Sequence, residues 1–251
     1  MNTSSWRHYY ESNRLHRTEP PWSAPCQLPF GLRQILAVSL SHFQLGETGG
    51  GSFLLRGAAG ETDADDLAAL ALFVAEEQEH ARLLARMVER LGGSLVRRHW
   101  THRLFKFARR AGGFRFEIQM LLTAEIVGTA YYDLLKKNVD DPALQAALGL
   151  MLRDEAGHIT FHLDRLRLRW KTYLPLERSL WALQFQTLLL TALRVAWLDH
   201  GNCLRALRCG WLDFAGQARQ VAIQFLDDLE SPATSCRGCP IPKPVAETIP
   251  A

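Results

Sequence analysis

Apolar residues recur at three- and four-residue intervals in seven stretches of this chain, and no stretch shows the strict alternation of a half-buried strand. The pattern predicts an all-α fold. A first helix is expected over 32–55, where Leu36, Leu40, Phe43, Gly50 and Leu54 share one face. Gly49, Gly50 and Gly51 weaken its end by about 1 kcal/mol each. A second helix is expected from near Asp63, with Asp65 and Asp66 in the first turn, where acids suit the helix dipole. Gly92 and Gly93 stop it. A third runs over 114–137. A fourth starts after Asp140 or Asp141, with Pro142 at an early helical position, and reaches about Trp170. Two further apolar helices fall near 176–207 and 211–229, and a short helix within 94–113 is expected to cross the bundle. Residues 1–31 are polar and carry prolines, which predicts an extended arm before a helical domain over 32–230. The proline-rich residues 231–251 read as a flexible tail.

Bulk properties narrow the class. The 251 residues suffice for one large domain with a sizeable core. Hydrophobic residues make up 47% and charged residues 22%, which excludes a disordered chain, and a net charge of +3 gives no reason to expect nucleic acid as a partner. The most apolar stretch, Leu180 to Leu198, is broken by Gln184, Gln186 and Arg194, so a core helix is expected and no transmembrane span. No cleavable signal is visible, and the odd set Cys26, Cys203, Cys209, Cys236 and Cys239 has no framework spacing. A reduced cytoplasmic location is the expectation.

The chemistry is signalled by carboxylates that interrupt apolar stripes. Glu77 lies in the stripe of Leu70, Phe73 and Leu84, and His80 follows at i+3 on the same face. Glu155 follows Leu148, Met151 and Leu152, and His158 is again at i+3. Glu47 and Glu125 interrupt the stripes of the first and third helices. Thirty residues separate Glu47 from Glu77, and thirty separate Glu125 from Glu155. The second half thus repeats the first, each pair giving a lone glutamate and then Glu-x-x-His. Buried carboxylates without partners cost several kcal/mol or take up protons, so four of them facing one core call for a counter-charge. Two divalent ions supply it. Glu76 and Glu79 fall off the stripe and are expected to face solvent or to back the ligands.

With Glu47, Glu77-Gln78-Glu79-His80, Glu125 and Glu155-Ala156-Gly157-His158 in this order, the chain resembles the ferritin-like di-iron carboxylate superfamily over residues 32–170. The resemblance implies a ferritin-like four-helix bundle, here with additional C-terminal helices. It implies two iron ions, less often manganese, held by Glu47, Glu77, His80, Glu125, Glu155 and His158, with O2 as cosubstrate. Members include oxygenases, oxidases, desaturases and iron stores, and the resemblance does not choose among them. The added helices fit a substrate-enclosing oxidase or oxygenase, with a small-molecule substrate, an electron donor the sequence does not name, and a monomer or homodimer. A ferroxidase or iron store is the alternative.

Five further features accompany this set. Thr129, at i+4 from Glu125, matches a threonine that some bundle hydroxylases place near the oxygen side, or else bonds its own helix. His162, at i+7 from Glu155, is either an extra ligand or a residue behind the ligands. Asp154 resembles the acid that orients a ligand histidine. The basic segment 97–110 is a solvated amphipathic helix or a contact for an acidic partner, and Cys236 and Cys239 form a lone C-x-x-C without the second pair of a rubredoxin-type site.

Overall fold

The protein is described by a computed structural model covering residues 3–49, 51–59 and 63–231. Within these residues the chain forms nine helices and no strand: α1 (Thr3–Leu15), α2 (Phe30–Glu47), α3 (Ser52–Ala58), α4 (Ala64–Arg90), α5 (Trp100–Ala111), α6 (Gly113–Asn138), α7 (Pro142–Trp170), α8 (Pro175–Ala206) and α9 (Trp211–Glu230). The all-α expectation holds. Helices α2 and α4 pack together, α6 packs on α7, and α4 meets α7. The later helices close the outside, with α8 against α6 and α2, and α9 against α6 and α7. Among the described residues no helix is long and apolar enough to cross a membrane.

The ends of the two Glu-x-x-His helices fix their height. Asp63 caps α4, accepting from the Asp66 N–H at 2.8 Å, and Gly92 at φ +75° follows its last turn. Asp141 caps α7, accepting from the Ala143 and Leu144 N–H groups behind Pro142. The same carboxylate is held at 2.8 Å by Arg90, the last residue of α4. That buried pair ties the end of one helix to the start of the other. Glu77 lies thirteen residues before Arg90 and Glu155 fourteen after Asp141, about 20 Å along each axis. The two motifs therefore sit at the same level of antiparallel helices.

Two expectations are corrected. The N-terminal segment is not an extended arm throughout, because Thr3–Leu15 is helical and packs on α4. Its anchors are Trp6, Tyr9 and Tyr10 at i, i+3 and i+4, buried with Phe73 and Phe161 in a small aromatic core. This helical spacing is hidden among polar neighbours. Residues 17–29 are non-helical, as expected. The helix expected over 32–55 is two helices, and the break falls at the glycines. Gly51 has φ +60°, and a Cβ there would stand 2.4 Å from a Val74 methyl, so the turn requires glycine. Gly50, the C-x-x-C pair Cys236 and Cys239, and the tail from 232 lie outside the described residues. Cys26, Cys203 and Cys209 are free thiols.

Candidate metal centre

Each of four helices brings one glutamate to the same interior point, and α4 and α7 add the two histidines. Glu47 ends α2, Glu125 lies mid-way along α6, and Glu77 with His80 and Glu155 with His158 come from α4 and α7. Three overlapping groups have ligand atoms within 4.8 Å of one another: Glu77, His80 and His158; Glu47, His80 and Glu155; and Glu125, Glu155 and His158. Each group could hold a metal ion. Glu77 and Glu155 reach both histidines. Glu77 Oε1 is 2.8 Å from His158 Nδ1 and 4.0 Å from His80 Nδ1. Glu155 Oε1 is 3.5 Å from His80 Nδ1, and its Oε2 is 3.7 Å from His158 Nδ1. Glu125 stands 3.4 Å from His158 Nδ1.

These contacts are close but poorly aligned. Glu77 Oε1, His80 Nδ1, Glu155 Oε2 and His158 Nδ1 are all buried and make no hydrogen bond. Orphaned polar atoms of this kind are rare in folded proteins, and four at one point fit a ligand set for cations. Both histidines present Nδ1 inward because Nε2 is engaged elsewhere. His80 Nε2 meets Asp154 Oδ2 at 3.2 Å, and His158 Nε2 meets Glu76 Oε2 at 3.0 Å. Asp154 precedes Glu155 and Glu76 precedes Glu77, so each helix orients the histidine of the other. Asp154 is as the resemblance implied. Glu76 is buried behind His158, whereas Glu79 pairs with Arg82 at 2.7 Å near the surface.

The residue that joins the two orienting acids was not legible in the sequence. Arg17, just past α1, places Nη1 2.7 Å from Asp154 Oδ2 and donates from Nη2 to Glu76 Oε1 at 3.1 Å. Asn13 also donates to Glu76. No local pattern singles out one arginine in a polar segment. Arg17→Ala is expected to weaken metal binding about 10–100-fold, the usual effect of removing a partner that orients ligands. Competition with a chromophoric chelator measures it, with circular dichroism as the folding control. An affinity equal to wild type would show that Asp154 and Glu76 hold the histidines unaided.

The electrostatics are those of a crowded acidic pocket. Burial, and then the charge of Glu77, raise the carboxyl of Glu47 well above the usual range. Burial and then Glu125 do the same to Glu155. Burial also pushes Glu77 upward, but His158 outweighs it and holds that carboxyl low. His158 resists the effect of burial because Glu77 stabilises its cation, and it is raised well above the ordinary imidazole value. Without cations the site therefore shares protons among glutamates and keeps one on His158. Tyr132, kept protonated by burial and then by Glu47, donates to Glu47 Oε1 at 3.0 Å.

The remaining sequence candidates stand further out. His162 is 2% exposed, with Nε2 4.0 Å from Glu125 Oε1 and neither ring nitrogen hydrogen-bonded. Burial lowers its pKa to about 4, so the ring is neutral. It joins none of the three ligand groups. The Thr129 hydroxyl is buried without a hydrogen bond and does not line the cavity beside the site. Thr123, one turn before Val127, does line it but bonds its own helix at Gln119.

That cavity has a volume of about 390 Å³, within the range of small-molecule sites. Glu47, Glu77, Glu125 and Glu155 form part of its wall, and α5 and α8 close it with Phe105, Leu188 and Val195. Gly49, Gly51 and Gly128 also line it, so the glycines beside Glu47 open space next to the carboxylates. Comparisons with family models, curated proteins and solved structures gave no match to this chain.

Proposed function

We propose that the protein is an O2-activating di-iron oxidase or oxygenase acting on a small organic substrate. The observation that carries the metal assignment is the set of four buried ligand atoms without hydrogen bonds, one oxygen each of Glu77 and Glu155 and the inward Nδ1 atoms of His80 and His158, with Glu47 and Glu125 beside them. Four carboxylate charges balance two divalent cations, and iron is the metal we assign. Glu47 and His80 would hold one ion and Glu125 and His158 the other, with Glu77 and Glu155 shared. The irons, when bound, supply the activation of O2. The chain's own residues do the rest. Asp154 and Glu76 hold the imidazoles in the tautomer that leaves Nδ1 free, Tyr132 steadies Glu47, and Phe73 and Leu54 help keep water from the carboxylates.

The apolar cavity favours an enzyme over an iron store, because a store has no use for an organic binding slot beside its oxidation site. The discriminating experiment adds Fe(II) in steps under air. We expect oxidation to stop near about two irons per chain, with no large assembly by size analysis. Continued uptake with growth of an electron-dense mineral core would establish the ferroxidase or storage reading instead.

A further inference from the structure

The cavity beside the carboxylates also reaches a second polar cluster. His42, Thr101, Asp199 and His200 line it, and His42 sits five residues before Glu47, about 7.5 Å along α2. Asp199 is the centre of this cluster. Its Oδ1 lies 2.9 Å from His42 Nδ1 and 2.8 Å from His99 Nε2, and its Oδ2 accepts from Thr101 at 2.9 Å. His200 Nε2 stands 3.5 Å from Oδ2. Behind His200, its Nδ1 lies 2.8 Å from the Ser39 hydroxyl, which lies 2.6 Å from Tyr131 OH. Three partners from α2 and the start of α5, His42, His99 and Thr101, thus satisfy one carboxylate on both oxygens, with His200 of α8 close by.

His42, His99 and Asp199 also have the spacing of a metal site. The ring geometry opposes that use. The two imidazoles are stacked, with centroids 3.7 Å apart and planes 19° from parallel. Imidazole lone pairs lie in the ring plane, so an ion in the plane of one ring is far from the plane of the other. The arrangement suits hydrogen bonding. With Nδ1–H donated to Asp199, the His42 ring has Nε2 left for a ligand in the cavity that it lines, and the carboxylate fixes its orientation. Between this cluster and the four glutamates, α8 lines the slot with Leu188, Ala192, Val195 and Ala196, so that with Asp199 it extends about 16 Å.

We propose that His42, oriented by Asp199, is the head-group site of this cavity and that the ligand is a neutral, elongated apolar molecule ending in a hydroxyl, which donates to His42 Nε2. The Asp199 carboxylate behind His42 disfavours a carboxylate head at this end. A hydroxyl held here would leave the apolar body running past Phe43 and the four glutamates. The inference rests on the oxygenase reading only in taking the ligand to be a substrate. Its test measures binding without turnover, so either can fail while the other stands.

The probes are octan-1-ol and octanoate, titrated into the metal-loaded full chain and into the metal-free full chain by calorimetry. Octan-1-ol is expected to bind both forms. His42→Phe should weaken it roughly 5–10-fold, the value of one neutral hydrogen bond, and His42→Gln, which keeps an acceptor, should recover part of the loss. Octanoate is not expected to weaken with His42→Phe. Ala192→Trp, which fills the slot, should abolish binding of octan-1-ol with the metal content unchanged. Alcohol binding that is indifferent to His42, octanoate binding that depends on it, or loss of one metal ion per chain in His42→Phe would each overturn the proposal, the last in favour of a metal site.

Discussion

Glu155→Ala is expected to strip both metal ions from the protein, taking the content from about two per chain to none. Glu155 is 2% exposed, and its two oxygens approach His80 and His158 separately. It thus serves both halves of the centre. Its loss breaks the bridge and also changes the charge balance, leaving three carboxylates for two divalent ions. Glu79→Ala is the contrasting variant. Glu79 bonds Arg82 near the surface, where such pairs contribute about 0–1 kcal/mol, so metal content should stay at the wild-type level. Glu155→Gln separates ligation from packing because it keeps the volume of the side chain. In the metal-free state it should be at least as stable as wild type, since it replaces a carboxyl that burial and Glu125 hold from ionising with a neutral amide. Equal metal loss in Glu79→Ala and Glu155→Ala, by elemental analysis, would show that the facing of α4 and α7 has been misread.

The second large effect is on pH dependence. The metal-free protein is expected to lose stability as pH rises from about 7 to about 8.5, the range above the usual carboxylate and imidazole values, where the lowered His162 and His200 no longer take up protons on unfolding. Glu47 and Glu155 are raised, so over this range the folded state retains protons that the unfolded chain has released, and rising pH favours unfolding. His158 is raised as well. Its contribution is complete below the ordinary imidazole value and is lost as pH climbs through the folded one. Glu77 is lowered, so its contribution is present above the ordinary carboxylate value and is lost only in acid, outside this window. Each retained proton gives a slope of up to about 1.4 kcal/mol per pH unit. Bound cations replace those protons, so the loaded protein should hold its stability and the gap between the two forms should widen with pH. Urea titrations across the range, with chelator and with metal, measure it. A metal-free stability that rises toward pH 8.5 would contradict the electrostatic account.

Much of the candidate centre was legible because its residues violate the patterns around them. Glu77 and Glu155 are charges in apolar stripes, and a 3.6-residue period places His80 and His158 beside them without tertiary knowledge. What brings the two Glu-x-x-His motifs to one level is the Arg90–Asp141 pair between α4 and α7, which no local pattern announces. What the sequence hid depends on contacts between distant segments. Arg17 lies in a polar stretch and acquires meaning only because Trp6, Tyr9 and Tyr10 dock α1 beside α4. Glu76 is adjacent to Glu77, and periodicity alone left open whether it faced water or the interior. The Asp199 cluster joins residues that are 157 and 100 positions apart, a distance at which no helical period carries information. The break in the expected helix over 32–55 was foreshadowed by its glycines, but the positive φ of Gly51 and its close approach to Val74 depend on the tertiary packing.

The central claim is that these six residues hold two iron ions together. Anaerobic loading of purified protein with Fe(II), removal of loose metal and elemental analysis, followed by Mössbauer spectroscopy after oxidation, tests it most directly. The account predicts about two irons per chain, reported as an exchange-coupled pair with no net spin. One iron or none per chain, or two irons that remain magnetically independent, would contradict it.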